Sequence, residues 1–258
     1  MKVLISVDME GIAGIVHPAE TTPERYDYER GRRLMTAAAE VLVADAHGTY
    51  RNILPEDLDR RARLIRGKPR ELGMLAGLQA GAQAAMFVGY HARAGARGAV
   101  LAHTIADAIL DVRINGASHG EIGINTLLAG SYGVPVVLAS GDAAACEEFS
   151  ALAPQAVTVP VKRGLGQHAA DGMHPGEAHE LLRRGASQAM RSHATSPPVS
   201  VPQPLRIEID LHQPRAADLA ALMPGVTRSG RTVAFDAETM TAAYGMLQLI
   251  VALTQNEP

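Results

Sequence analysis

The sequence predicts an α/β protein: a three-layer, Rossmann-like, mostly parallel sheet with a smaller α+β C-terminal part. Three observations carry this. Apolar runs of strand length alternate with segments of helical period along the first half of the chain. Several of those runs are apolar at every position, as strands covered on both faces are. Past residue 155 the pattern loosens, and a proline-rich connector at 196–204 leads to a strand of alternating polarity, Arg206–Leu211. The expected division is a metal-binding α/β domain over 1–155 and a C-terminal α+β domain over 156–258.

Residues 2–7 read as the first strand. Thr22-Pro23-Glu24 reads as an N-cap with proline at the first helical position, opening a helix to about Glu40. A strand is expected over 41–45, a brief one near Ala62–Ile65, a helix over Glu71–Ala80 and a strand over 84–90. Ile109–Ile114 is the next strand, His119–Tyr132 a helix stopped by Gly133, Val134–Ala139 a buried strand, and Asp142–Leu152 a helix. The remainder reads as a strand at Val157–Val161, a glycine-rich loop and a helix over Pro175–Arg191. After the connector come the alternating strand, a short helix over Ala216–Leu222, a strand at Thr232–Phe235 and a closing helix over Ala237–Leu253.

Composition narrows the function. At 258 residues the chain can hold one large domain or two modest ones, with 47% apolar and 20% charged residues. A formal charge of −3 without a basic stripe argues against a nucleic-acid partner. Cys146 stands alone, so no internal disulfide forms and a reducing, cytoplasmic setting is expected. The N-terminal apolar run is broken by Asp8, too early for a secretory signal, and no run approaches the length of a membrane span.

The chemistry lies where strands end. Val3–Val7 runs into Asp8 and Glu10, with Gly11 letting the backbone turn away from them. Val41–Ala44 runs into Asp45 and His47, and Met86–Tyr90 into His91. Strand ends offering carboxylates and imidazoles suggest a metal site at the carboxyl edge of a parallel sheet. Each has a plainer reading: Asp8 with Glu10 as a turn-capping pair, and each histidine as a packed loop residue. Their joint occurrence on three strand ends favours the metal. Glu121 in Gly120-Glu121-Ile122 is either a further ligand or a first-turn acid favouring the helix dipole.

His103 is open between ligand, general base and packed residue. Asp45 either orients His47 or merely shapes its loop. His119 is expected to cap its helix, while His17, His168, His174, His179, His193 and His212 are expected to take no part. No Walker loop, nucleophile elbow or complete dinucleotide fingerprint occurs, and Cys146 between acids is a packed residue.

These residues resemble a known family, the D-aminopeptidases of the dipeptide-operon type, peptidase family M55. The matching segments are SVDMEGIAG at 6–14, YERGRRLMT at 28–36, ADAH at 44–47, GYHARAG at 89–95, VLAHT at 100–104, GEIGIN at 120–125 and LMPGV at 222–226. The stretch between the second and third segments is shorter than in the family, and Ala44 replaces its usual Asn. The resemblance implies two Zn2+ per subunit. Asp8 would bridge the ions, Glu10 and His91 would complete one site, and His47 and Glu121 the other. His103 falls on the family's catalytic position, read here as a base or polarising group.

The resemblance also implies a homodecamer of two stacked pentamers and release of N-terminal D-residues, D-Ala type, from short peptides. Two other functions are compatible with the ligand set alone. One is another two-metal hydrolase acting on phosphoesters or amides. The other is a non-catalytic peptide-binding accessory of a transporter.

Overall fold

A computed structural model describes residues 2–37 and 42–254. Its strands are β1 (Val3–Val7), β2 (Leu42–Asp45), β3 (Arg63–Ile65), β4 (Ala84–Tyr90), β5 (Ile109–Ile114), β6 (Ala117–Ser118), β7 (Val136–Asp142), β8 (Val157–Gly166), β9 (Ala169–Gly172), β10 (Leu205–Leu211), β11 (Thr227–Ser229) and β12 (Thr232–Ala237). The helices are α1 (Pro18–Thr21), α2 (Tyr28–Ala37), α3 (Glu121–Ser131), α4 (Ala143–Leu152), α5 (Pro175–Ser192), α6 (Pro214–Ala220) and α7 (Met240–Thr254). None of the described helices is long and apolar enough to cross a membrane.

One sheet has the order β3-β2-β1-β4-β7-β8-β9, parallel except for the final β8–β9 hairpin. The second has the order β11-β12-β10-β5-β6 and is antiparallel. Each sheet draws strands from both sides of residue 155. In the first, β4 and β7 are buried at every position, because apolar layers cover both faces. One layer packs Met35 of α2 and Ala178, Leu182 and Ala189 of α5 against Val7, Val43, Val88 and Leu138. The other packs α3, α7 and the second sheet against Leu4, Phe87 and Ala139. Strand β10 alternates, its odd residues buried against that second layer.

Three expectations need correction. Thr22-Pro23 does not open a helix. The chain makes the single turn α1, with proline at its start and His17 as cap, and α2 begins only at Tyr28. The expected end of that helix at Glu40 falls outside the described residues. Over Glu71–Ala80 there are two short 3-10 turns, Gly73–Leu75 and Leu78–Ala80, because Gly73 and Gly77 sit at φ of 45° and 118°, outside the helical range. The glycine-rich stretch after Val161 continues β8 and turns back as β9.

The strand order reverses direction of growth between β1 and β4, the position where open α/β sheets place their ligands. Here the two backbones nearly touch. Gly11 N–H donates to the Gly89 carbonyl at 2.7 Å, and Asp8 N–H to Val88 at 2.8 Å. A Cβ on Gly11 would lie 2.0 Å from the Tyr90 carbonyl oxygen, so only glycine lets the loop after β1 close onto the end of β4. Gly11→Ala is therefore expected to lower unfolding stability by about 3 kcal/mol, read as a drop in denaturant midpoint.

Candidate metal centre

Asp8 follows β1 directly, with Glu10 two residues on; His47 lies two residues past β2, and His91 directly past β4. Glu121 is the first residue of α3. Glu148 of α4 ties the last two segments together, accepting the Arg93 N–H at 2.9 Å and the Gly120 N–H at 3.1 Å. Local chain geometry thus delivers the five candidate ligands to one place.

His47 Nδ1 lies 3.2 Å from Asp8 Oδ1 and 2.9 Å from Glu10 Oε2. His91 Nε2 lies 3.4 Å from Asp8 Oδ2 and 3.3 Å from Glu121 Oε1, and His103 Nε2 lies 3.6 Å from the same Glu121 oxygen. Two clusters result, Asp8–Glu10–His47 and His91–His103–Glu121, each with donor atoms within 4.8 Å of one another. Asp8 turns one oxygen to each. This grouping sets Glu10 beside His47 and Glu121 beside His91, a different pairing from the one the resemblance implied.

The histidine tautomers follow from the backbone. His47 Nε2 faces the Thr21 carbonyl at 2.8 Å, His91 Nδ1 the Ala92 carbonyl at 3.1 Å, and His103 Nδ1 the Leu101 carbonyl at 2.8 Å. A carbonyl only accepts, so each of those nitrogens carries the proton. In the neutral rings the lone pairs fall on His47 Nδ1, His91 Nε2 and His103 Nε2, all directed at the centre.

Asp8, Glu10, His91 and Glu121 are buried, and His47 is nearly so. Asp8 Oδ2 and His91 Nε2 have no hydrogen-bond partner despite burial, and Glu10 Oε2 faces only the His47 ring. Buried lone pairs facing one another without a hydrogen are costly in the absence of a cation. Carboxylate oxygens and imidazole nitrogens are the donors zinc takes, so this set fits the metal.

The charges agree. Burial and the neighbouring Glu10 carboxylate push Asp8 up to about 6. Burial opposes ionisation of Glu10 as well, yet His47 beside it holds its carboxyl well below the usual range. Burial disfavours the charged forms of His47 and His91, but Glu10 and Glu121 more than offset it, raising His47 well above its ordinary value and His91 to about 10. The metal-free centre therefore holds protons where cations would sit.

His103 is set differently from His91 within its cluster. The two rings stack, centroids 4.0 Å apart and planes inclined by 14°. A lone pair lies in its ring plane, so near-parallel stacked rings aim at separate points. His103 is left on the flank of the centre, its Nε2 3.6 Å from the Glu121 carboxylate.

Asp45 does not touch the His47 ring. Its carboxylate accepts the N–H groups of Asn52 and Ile53, and Asn52 Nδ2 donates both to Asp45 and, at 2.7 Å, to the His47 carbonyl. Asn52, fully buried and also gripped by the Tyr28 hydroxyl, was not marked by any sequence pattern. His119 does not cap α3, whose cap position is Gly120. His17 and His174 cap α1 and α5 instead, and neither belongs to either cluster.

The sequence profile of peptidase family M55, described as D-aminopeptidase, matches residues 1–249. The D-aminopeptidase of Bacillus subtilis (strain 168) is 33% identical over 268 residues, spanning 98% of this chain and 97% of its own length. Among solved structures, the Zn-dependent D-aminopeptidase DppA from Bacillus subtilis, described as a self-compartmentalizing protease, superposes with a TM-score of 0.96. It is 32% identical, and the match covers 100% of this chain and 99% of that one.

Proposed function

The chain belongs to peptidase family M55, the D-aminopeptidases, and from that premise we propose that it removes N-terminal D-residues, D-Ala foremost, from short peptides at a centre of two zinc ions. As a metallo-aminopeptidase it is a hydrolase. The observation that carries the two-ion reading is Asp8, whose two oxygens face two donor clusters, His47 with Glu10 and His91 with Glu121. We place Asp8 as the bridge and the other four as terminal ligands.

When bound, such ions polarise the scissile carbonyl and lower the pKa of water towards neutrality. The chain's own residues do the rest. Backbone carbonyls of Thr21 and Ala92 hold His47 and His91 in the tautomers that present a lone pair inward. His103, its Nδ1–H fixed on Leu101, offers Nε2 to take the proton of the attacking water and return it to the leaving amine. The Glu121 carboxylate is held by the Ile105 N–H at 2.6 Å, which keeps it turned towards His91 and His103. By analogy with the self-compartmentalizing relative, we assign the chain to a closed homo-oligomer, a decamer of two pentameric rings, in the cytoplasm.

The test is hydrolysis of D-Ala-D-Ala, D-Ala-L-Ala and L-Ala-L-Ala by protein of measured zinc content, with a chromogenic phosphate ester alongside. Cleavage confined to N-terminal D-residues, scaling with zinc up to two equivalents, is expected. Equal rates on L-Ala-L-Ala, or turnover of the ester alone, would refute the reading.

Metal uptake should be steeply pH-dependent. His47 and His91 are protonated at pH 7 in the metal-free protein and must be neutral to ligate. Binding should release close to two protons per subunit near neutrality, and the share owed to His91 should vanish above about 10. Calorimetry in buffers of differing ionisation enthalpy measures this count.

A further inference from the structure

The loop that starts at Glu10 is held by a buried lysine from a strand three places along the sheet. Lys162 of β8 is only 5% exposed. Its ammonium donates to three backbone carbonyls, those of Glu10, Ile12 (3.1 Å) and Ile15 (2.5 Å). An ammonium has three N–H donors, and here each meets one acceptor. Burying a cation is costly, so its presence points to a requirement that apolar packing would not meet.

That requirement is local. The loop's own backbone bonds are few, Ile12 N–H to Met9 at 3.1 Å and Ile15 N–H to Ile12 at 3.2 Å. Beyond Ile15, the Glu20 carboxylate accepts the N–H groups of Val16 and His17 at 2.8 and 3.0 Å and pairs with Arg30. This closes α1, whose last residue is Thr21. The Thr21 carbonyl in turn fixes the His47 tautomer. One segment, 10–21, therefore presents a carboxylate at its start and the tautomer-setting carbonyl at its end.

We propose that Lys162 is a positioning residue for the Asp8–Glu10–His47 half of the centre, setting its metal affinity by clamping the segment 10–15. The inference rests on the two-ion reading above. His91, Glu121 and His103 are carried by the end of β4, the 100–105 loop and α3, none of which Lys162 touches through a hydrogen bond. Its loss should weaken one ion and spare the other.

The experiment is Co(II) titration of chelator-stripped protein, read by visible absorbance against a competing chelator, on wild type, Lys162→Met and Glu10→Gln. Wild type should show two binding classes; a single class would overturn the two-ion reading rather than this inference. In Lys162→Met the class that Glu10→Gln abolishes should weaken by about 10- to 100-fold, with the other class within a factor of about three. Unchanged affinity in both classes, or an equal loss in both, overturns the proposal. If Lys162→Met does not fold, Lys162→Gln keeps two N–H donors for the same carbonyls and is read by the same criterion.

Discussion

On the proposed two-ion reading, Asp8→Asn should strip the protein of bound metal and cut turnover by on the order of 1,000-fold or more, since bound ions would supply several kcal/mol of transition-state stabilisation at about 1.4 kcal/mol per decade. The substitution is conservative in shape: Asn Oδ1 can still accept the Met9 N–H that Asp8 accepts at 2.9 Å. What it removes is the negative bridge between the two donor clusters. Metal content by mass spectrometry and peptide turnover measure the loss. Retention of two zinc ions by the variant would refute the bridging role.

The same variant should not unfold more easily when metal-free. Burial and the Glu10 carboxylate raise Asp8 to about 6 from an ordinary 3.8, so the folded state binds its proton more tightly than the unfolded chain does. Stability contributed by that proton is greatest below about pH 4 and disappears as pH rises through 6. The ionised Asp8 is thus a burden on the metal-free fold at pH 7, and Asn carries no charge to bury. The melting temperature of stripped Asp8→Asn should equal or exceed that of stripped wild type at pH 7.5. The advantage should shrink at pH 4.5, where wild-type Asp8 is protonated.

The convergence of the candidate ligands was legible because they sit at fixed offsets from strands whose apolar runs are unmistakable: Asp8 and Glu10 after β1, His47 after β2, His91 after β4. Parallel pairing then forces those ends to one edge. Glu121 was ambiguous because a first-turn acid and a ligand look alike until α3 is placed. The pairing of ligands was not legible, because it depends on side-chain reach across the β1–β4 crevice. The contacts of Asn52 and Lys162 have no sequence signature for a related reason: each reaches backbone carbonyls, which every residue has, so no side-chain pattern advertises the target. The false helix over Glu71–Ala80 arose where apolar period outvoted two glycines whose backbone angles the helix cannot accept.

His103→Ala separates catalysis from ligation. A ring stacked on His91 at 4.0 Å and 14° aims its lone pair at a different point from that histidine's, so both metal equivalents of the proposed centre should stay while kcat falls by about 100- to 10,000-fold, the range for a lost general base. The surrounding loop makes the case stronger. Leu101 and Ile105, on either side of His103, adopt φ of 54° and 65°, a region that bulky and β-branched residues rarely enter. Such strain persists only where neighbours impose it. They do: Val100 N–H is held by Asp142 at 2.7 Å, Leu101 N–H by the Gln167 carbonyl at 2.9 Å, and Ile105 N–H by Glu121 at 2.6 Å. A residue kept merely for packing needs no such restraint, whereas a base must hold its nitrogen within reach of the proton it moves. Because the loop is fixed by these other contacts, deleting the ring leaves a preformed gap over His91, and added imidazole should restore part of the lost rate. Loss of one metal equivalent in His103→Ala would instead make it a ligand and end its assignment as the base.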